Sequence, residues 1–123
     1  MSLYSDVIVD LYQHPLHRGV LEDATHSAAG VNTTCGDHVR IQLRIRNGVI
    51  ENVMWEGDGC AISVSSASLL ADEWIGKSVD SIASLDSHSL LELLGVPDLG
   101  PARVKCATLA LETAQKALNN ASL

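Results

Sequence analysis

The sequence predicts an α+β protein, and three observations carry that reading. Apolar and polar residues alternate strictly over 37–46, as they do in a strand with one face in water. Asn47-Gly48 follows at once, and both residues tolerate the positive φ of a type I′ hairpin turn. After Cys60 the apolar period changes to that of helices and stays so. Strands grouped early and helices grouped late define α+β.

The elements follow in order. Leu3, Val7 and Leu11 recur every four residues with Tyr4, Ile8 and Tyr12 beside them, which predicts an amphipathic helix ended by Pro15. Residues 14–19 read as a loop. Residues 20–36 are rich in Ser, Thr, Ala, Gly and Asn, and fit either a short edge strand or an ordered loop. Within them Asn32-Thr33-Thr34-Cys35-Gly36 reads as a turn that presents the cysteine.

In 37–46, Val39, Ile41, Leu43 and Ile45 point one way, and His38, Arg40, Gln42, Arg44 and Arg46 point to the wet side. The returning strand, 49–56, is less regular. It places Val53 and Trp55 on one side and Ile50 and Met54 on the other, so both faces are expected to be partly covered. Helices are predicted over 61–75 with Gly76 as the stop, over 87–94 with Asp86 as the cap and Gly95 as the stop, and from Pro101 to about Leu118. Residues 78–85 read as a short helix or turn.

At 123 residues the chain is expected to be one domain, 1–123, with a real apolar core. Hydrophobic content is 46% with only 3% aromatic and no Phe, so Trp55 and Trp74 are expected anchors in a core of Leu, Ile, Val and Ala. The net charge of −7 disfavours a nucleic-acid partner, whose backbone calls for a basic stripe. No apolar run approaches the roughly 20 residues of a membrane span. The N-terminus lacks the pattern of a secretory signal. Three cysteines are an odd number for a disulfide framework. A cytoplasmic protein with free thiols or a bound metal is the expectation.

Cys35, Cys60 and Cys106 carry the chemistry. Free cysteine is most often a small buried hydrophobe. Here all three are expected at element boundaries, where a buried apolar residue is least needed. Cys60 closes Gly57-Asp58-Gly59-Cys60 at a helix N-terminus, where unpaired N–H groups and the dipole favour a thiolate. Cys106 is expected early in the last helix, with Lys105 and Arg103 acting in the same direction. Asp37 stands two residues after Cys35. It is either a solvated charge at a strand start or a ligand to the same ion. Three thiols and one carboxylate make the four ligands of a tetrahedral metal. An oxygen beside three sulfurs weakens and opens such a site. His14, His17, His26, His38 and His88 compete for the fourth position; each reads as a surface residue, and His38 is the best placed. No nucleophile elbow, phosphate loop, zinc-protease helix or catalytic carboxylate pair is present.

These residues carry a family resemblance. Val7-Ile8-Val9-Asp10-Leu11-Tyr12-Gln13-His14-Pro15, Cys35-Gly36-Asp37, Gly57-Asp58-Gly59-Cys60-Ala61-Ile62-Ser63 and Pro101-Ala102-Arg103-Val104-Lys105-Cys106-Ala107-Thr108-Leu109 occur in order over almost the whole chain. Together they resemble the NifU-like iron–sulfur cluster assembly family, of the IscU and SufU type. The resemblance implies a three-stranded antiparallel sheet with an N-terminal helix and C-terminal helices packed over it. It implies that Cys35, Asp37, Cys60 and Cys106 converge on a Zn2+ ion or a [2Fe–2S] cluster. It also implies sulfur delivery as persulfide from a cysteine desulfurase that uses pyridoxal phosphate, and apo iron–sulfur proteins as recipients.

Lys105 stands where IscU members carry a histidine, which is the SufU habit. The extra segment usual in SufU does not fit within 61–100. The family's proline before Cys-Gly-Asp is Thr34 here, and its Arg-Asn after His-Pro is His17-Arg18. The expected role is a scaffold or sulfur-transfer protein rather than a conventional enzyme, with Cys35, in its flexible turn, as first sulfur acceptor. The alternatives are a zinc-dependent sulfurtransferase that activates its desulfurase and holds no cluster, and a small zinc protein whose metal supports only the fold.

Overall fold

A computed structural model of the protein describes residues 5–121, so Leu3 and Tyr4 of the expected first helix lie outside it. Helix α1 (Asp6–Gln13) opens at Ser5, whose hydroxyl accepts the Ile8 N–H at 3.2 Å. Ile8 and Leu11 are its buried residues, while Val7 and Tyr12 face outward. The buried stripe is therefore narrower than the Val7-Leu11 pattern suggests, because α1 packs chiefly along α2.

Three antiparallel strands form one sheet in the order β1 (His26–Asn32), β2 (Asp37–Arg46), β3 (Val49–Asp58). Residues 26–32 thus resolve as a strand. Ala28 and Gly30 leave room for the last helix. A Cβ on Gly30 would overlap Thr113 Oγ1 and come within 3.3 Å of Leu109. The β2–β3 turn is the expected one, with Asn47 at φ 54° and Gly48 at φ 74°.

The untidy pattern of β3 has a local cause. Register shifts at Arg44/Ile45, where Arg44 faces Asn52 and Ile45 faces Ile50. Glu51 is the extra residue of a bulge. Ile50 is thereby returned to the core side with Val53 and Trp55, and all three are buried.

The wet face of β2 needs one correction. Gln42 was expected in water but is buried, because the segment around Leu21 crosses that face. The Leu21 N–H donates to Gln42 Oε1 at 3.0 Å, and Gln42 Nε2 donates to the Leu21 carbonyl at 3.3 Å. A glutamine satisfies a crossing backbone here where an apolar residue would leave it unpaired.

Helices α2 (Ala61–Trp74), α3 (Asp80–Ala83), α4 (Ser87–Leu93) and α5 (Pro101–Ala117) follow. Asp86 caps α4, accepting the Ser89 N–H at 2.7 Å. Helix α5 packs on β1 and β2, and α2 packs on β3 and on α5. The core lies between these helices and the sheet, with Trp55 and Trp74 both buried in it. Residues 14–19 are not free loop. The Trp55 N–H donates to the His17 carbonyl at 3.0 Å and the Gly19 N–H to the Trp55 carbonyl at 2.8 Å. Trp55 Nε1 reaches the Leu16 carbonyl at 2.8 Å. Arg18 lies 5.0 Å over the Trp55 ring and donates to the Gly57 carbonyl at 2.6 Å, which steadies the approach to Cys60.

Candidate metal centre

Four backbone features bring the chemistry to one end of the sheet. The β1–β2 turn carries Cys35. It is closed by the Gly36 N–H on the Asn32 carbonyl at 2.8 Å and the Thr34 N–H on Asn32 Oδ1 at 3.1 Å. Asp37 begins β2. The β3–α2 junction carries Cys60 as the N-cap of α2. Cys106 projects from α5.

The Cys35 Sγ, an Asp37 carboxylate oxygen and the Cys106 Sγ all lie within 4.8 Å of one another. Among the described residues, no other set of three His, Cys, Asp or Glu does so. The Cys35 and Cys106 sulfurs are 3.1 Å apart. The Cys60 Sγ faces the same centre, 3.9 Å from Asp37 Oδ2, but falls outside the compact set. Cys35, Asp37 and Cys60 line an open cleft of about 340 Å3 together with His38 and Asp58.

Asp37 is not a solvated charge: it is 2% exposed. The N-cap Cys60 makes no side-chain cap of its own. Asp37 on β2 instead satisfies the N–H of Cys60 itself. Its Oδ1 accepts the Cys60 N–H at 3.2 Å and its Oδ2 accepts the Ser63 hydroxyl at 2.6 Å. This is one half of a capping box, delivered by another strand. Gly59 makes the approach possible, since a Cβ there would stand 2.8 Å from Asp37 Oδ1.

Cys106 departs from expectation in two respects. It is the sixth residue of α5 and 3% exposed, not at an element boundary. Burial pushes its thiol well above the ordinary range, and the Cys35 thiol, Cys60 and Asp37 push it the same way. Lys105 is exposed and does not offset this. A buried thiol among thiols and a carboxylate favours the thiolate only once a cation arrives.

None of the five histidines belongs to the compact set. His17 pairs with Asp72 at 3.0 Å, His88 with Glu92 at 2.9 Å, and His26 meets Thr25 at 2.8 Å. His14 follows α1 as its C-cap. His38 lines the cleft but points outward from β2.

Two serines were not singled out from the sequence. Ser63 and Ser66, one turn apart on α2, reach the carbonyls of Cys106 at 3.2 Å and Ala107 at 2.6 Å. They bind α5 to α2 at the cysteine itself. The signal was present: serines are poor helix-interior residues, and Ser63, Ser65, Ser66 and Ser68 crowd the otherwise apolar first half of one helix.

An antiparallel sheet backed by helices, with two thiols and a buried carboxylate converging at an open end, defines a small α+β protein built around a thiol–carboxylate centre. The chain belongs to the NifU-like N-terminal domain family, whose model matches residues 3–122. It is 36% identical over 135 aligned positions to the iron–sulfur cluster assembly scaffold protein IscU of Thermotoga maritima, covering 98% of this chain and 95% of that one. It is 34% identical to the zinc-dependent sulfurtransferase SufU of Bacillus subtilis, covering 94% of this chain and 88% of that one. Among solved structures, a protein from Fervidobacterium islandicum AW-1, described as an iron–sulfur cluster assembly scaffold for the SUF system, superimposes with a TM-score of 0.78 at 30% identity. That match covers 94% of this chain and 96% of the other. Among the described residues no helix is long and apolar enough to cross a membrane.

Proposed function

We propose that this chain is an iron–sulfur cluster assembly protein that accepts sulfur from a cysteine desulfurase and assembles a [2Fe–2S] cluster as cargo for apo iron–sulfur proteins. One observation supports this above the others. Asp37 is a buried carboxylate whose hydrogen-bond donors are neutral, and the ion pairs among the described residues do not include it. Burying a charge without a partner is costly, so such a group beside two sulfurs suits a cation. Soft thiols with one oxygen fit zinc or iron.

Cys35, Asp37 and Cys106 would hold the metal, and Cys60, whose sulfur already faces Asp37 at 3.9 Å, would complete the set by a small approach. A bound cation would supply charge that keeps the sulfurs as thiolates. The chain's own residues do the rest. Ser63 and the Cys60 N–H orient Asp37. Cys106 is fixed from below by α2. Cys35, exposed in its turn, attacks the sulfane sulfur of the partner's persulfide. A new bond forms between Cys35 Sγ and that sulfur, the partner's S–S bond breaks, and the partner's cysteine leaves as the thiolate. No outside oxidant or reductant is consumed in that transfer.

A second reading, a zinc-dependent sulfurtransferase that holds no cluster, uses the same donors. Lys105 and the likeness to the Bacillus protein favour it. Anaerobic reconstitution with iron and sulfide decides between them. A cluster chromophore that Asp37→Ala or Cys106→Ser weakens supports the scaffold. Zinc at one per chain, desulfurase stimulation and no chromophore support the second reading.

A further inference from the structure

We infer that Ser63 is a positioning residue whose hydroxyl competes with the bound cation for Asp37, and so makes that carboxylate an exchangeable ligand. This rests on the metal-site reading above and goes beyond it to the residue that sets ligand exchange. The Ser63 hydroxyl carries one proton and has two acceptors in reach, Asp37 Oδ2 at 2.6 Å and the Cys106 carbonyl at 3.2 Å. Donation to Asp37 draws charge from the oxygen nearest the Cys60 sulfur, which is 3.9 Å away. Rotation about one bond turns the proton to the Cys106 carbonyl and frees Oδ2.

The hydroxyl is therefore satisfied in either state, and the freed Oδ2 would be paired by the bound cation. Asp37 Oδ1 keeps the Cys60 N–H at 3.2 Å throughout, so the carboxylate stays in place while one oxygen is released or recaptured. Helix α2 fixes Ser63 at its third residue, which gives the exchange a rigid base. A ligand that leaves without being lost suits a centre that must open one position to accept sulfur.

The test uses the cobalt(II)-loaded protein and follows loss of the cobalt–thiolate absorption on mixing with excess chelator. Ser63→Ala removes the competing donor, so cobalt release is expected to slow about tenfold or more, the worth of a hydrogen bond to a charged group. Ser63→Thr is expected to restore the wild-type rate. Ser63→Val, which has the shape of the threonine without its hydroxyl, is expected to release slowly, and it carries the comparison should the alanine variant misfold. In an Asp37→Ala background the Ser63 substitutions are expected to change nothing, since Ser63 acts only through Asp37. Release within about twofold of wild type for both Ser63→Ala and Ser63→Val, or an equal effect without Asp37, would overturn the inference and leave the metal site standing. A wild-type protein that shows no cobalt–thiolate absorption would overturn both.

Discussion

Gly57 and Gly59 lie two residues apart on the approach to Cys60, and alanine at each is expected to do different damage. Gly57 has φ 145°, a conformation L side chains rarely adopt. A Cβ there would overlap the His38 carbonyl and come within 2.9 Å of Val39 Cα, both backbone atoms of the paired strand β2. Backbone in a ladder cannot yield without parting the strands. Overpacking costs about 1–3 kcal/mol, and a side chain at such a φ adds about 1–3 kcal/mol. Gly57→Ala is therefore expected to lose about 3 kcal/mol or more, a large share of the roughly 5–15 kcal/mol that holds a domain folded. At a slope near 2 kcal/mol/M that lowers the urea midpoint by about 1.5 M. Gly59→Ala meets only the Asp37 carboxyl, at 2.8 Å from Oδ1 and 2.9 Å from Cγ. A side chain can move, so stability is expected to fall by about 1 kcal/mol, roughly one weakened bond, while cobalt binding weakens and is left to the thiols. Urea unfolding of both metal-free proteins, with cobalt titration of each, makes the comparison. A Gly57→Ala midpoint within about 0.3 M of wild type, or a Gly59→Ala protein that binds cobalt normally, would show that these close approaches carry no such cost.

Asp37→Asn keeps the shape and an acceptor for the Cys60 N–H but removes the charge. Its fold is expected to survive while metal content drops, and full metal loading would reduce Asp37 to a helix cap. Gln42→Ala strands both polar groups of Leu21 in a buried setting; a loss of about 2 kcal/mol or more in urea unfolding is expected. The Ser89 backbone N–H, with its hydroxyl second, holds the Asp86 carboxyl below its ordinary value of 3.8. Because the folded value is the lower one, capping of α4 contributes fully above the ordinary value and is lost as pH falls through the folded value. Acid unfolding followed by NMR signals of α4 is expected to lose this dependence in Asp86→Ala.

Much of the architecture was legible because it rests on local rules. The hairpin, the caps at Asp86 and Pro101, and the helical period after Cys60 each follow from a few adjacent residues. The misses share a cause: a partner distant in sequence decided the outcome. His26–Asn32 is a strand that does not look like one, because Ala28 and Gly30 are small to admit α5. Gln42 looks solvated until Leu21 crosses over it. Ile50 changes face because Glu51 bulges. At the site, Cys35, Asp37 and Cys60 could be placed by their turns and boundaries. The depth of Cys106 could not, because it depends on how α5 docks against α2. That docking runs through Ser63 and Ser66, polar residues whose role appears only when the Cys106 and Ala107 carbonyls are beside them.

The same docking grades the three sulfurs. Cys106 is 3% exposed, and Ser66 of α2 donates to the adjacent Ala107 carbonyl at 2.6 Å, so this sulfur is the one least open to an outside reagent. Cys60 is exposed, but its N–H is held by Asp37 and its residue begins a helix. Cys35 is exposed in a four-residue turn, with its sulfur 3.1 Å from that of Cys106. Of the two reachable thiols, only Cys35 is both free to move outward and already adjacent to Cys106. Were sulfur taken up at Cys35, it would already lie beside the Cys106 sulfur, 3.1 Å away. Limited alkylation of the metal-free protein is expected to mark Cys35 and Cys60 well before Cys106, since reactivity follows exposure and thiolate content. Persulfide from a desulfurase is expected to appear first on Cys35 and to vanish in Cys35→Ser. Early persulfide on Cys60 in the wild type, with Cys35→Ser still accepting sulfur, would reverse the order of the two exposed cysteines and move the entry point to the start of α2.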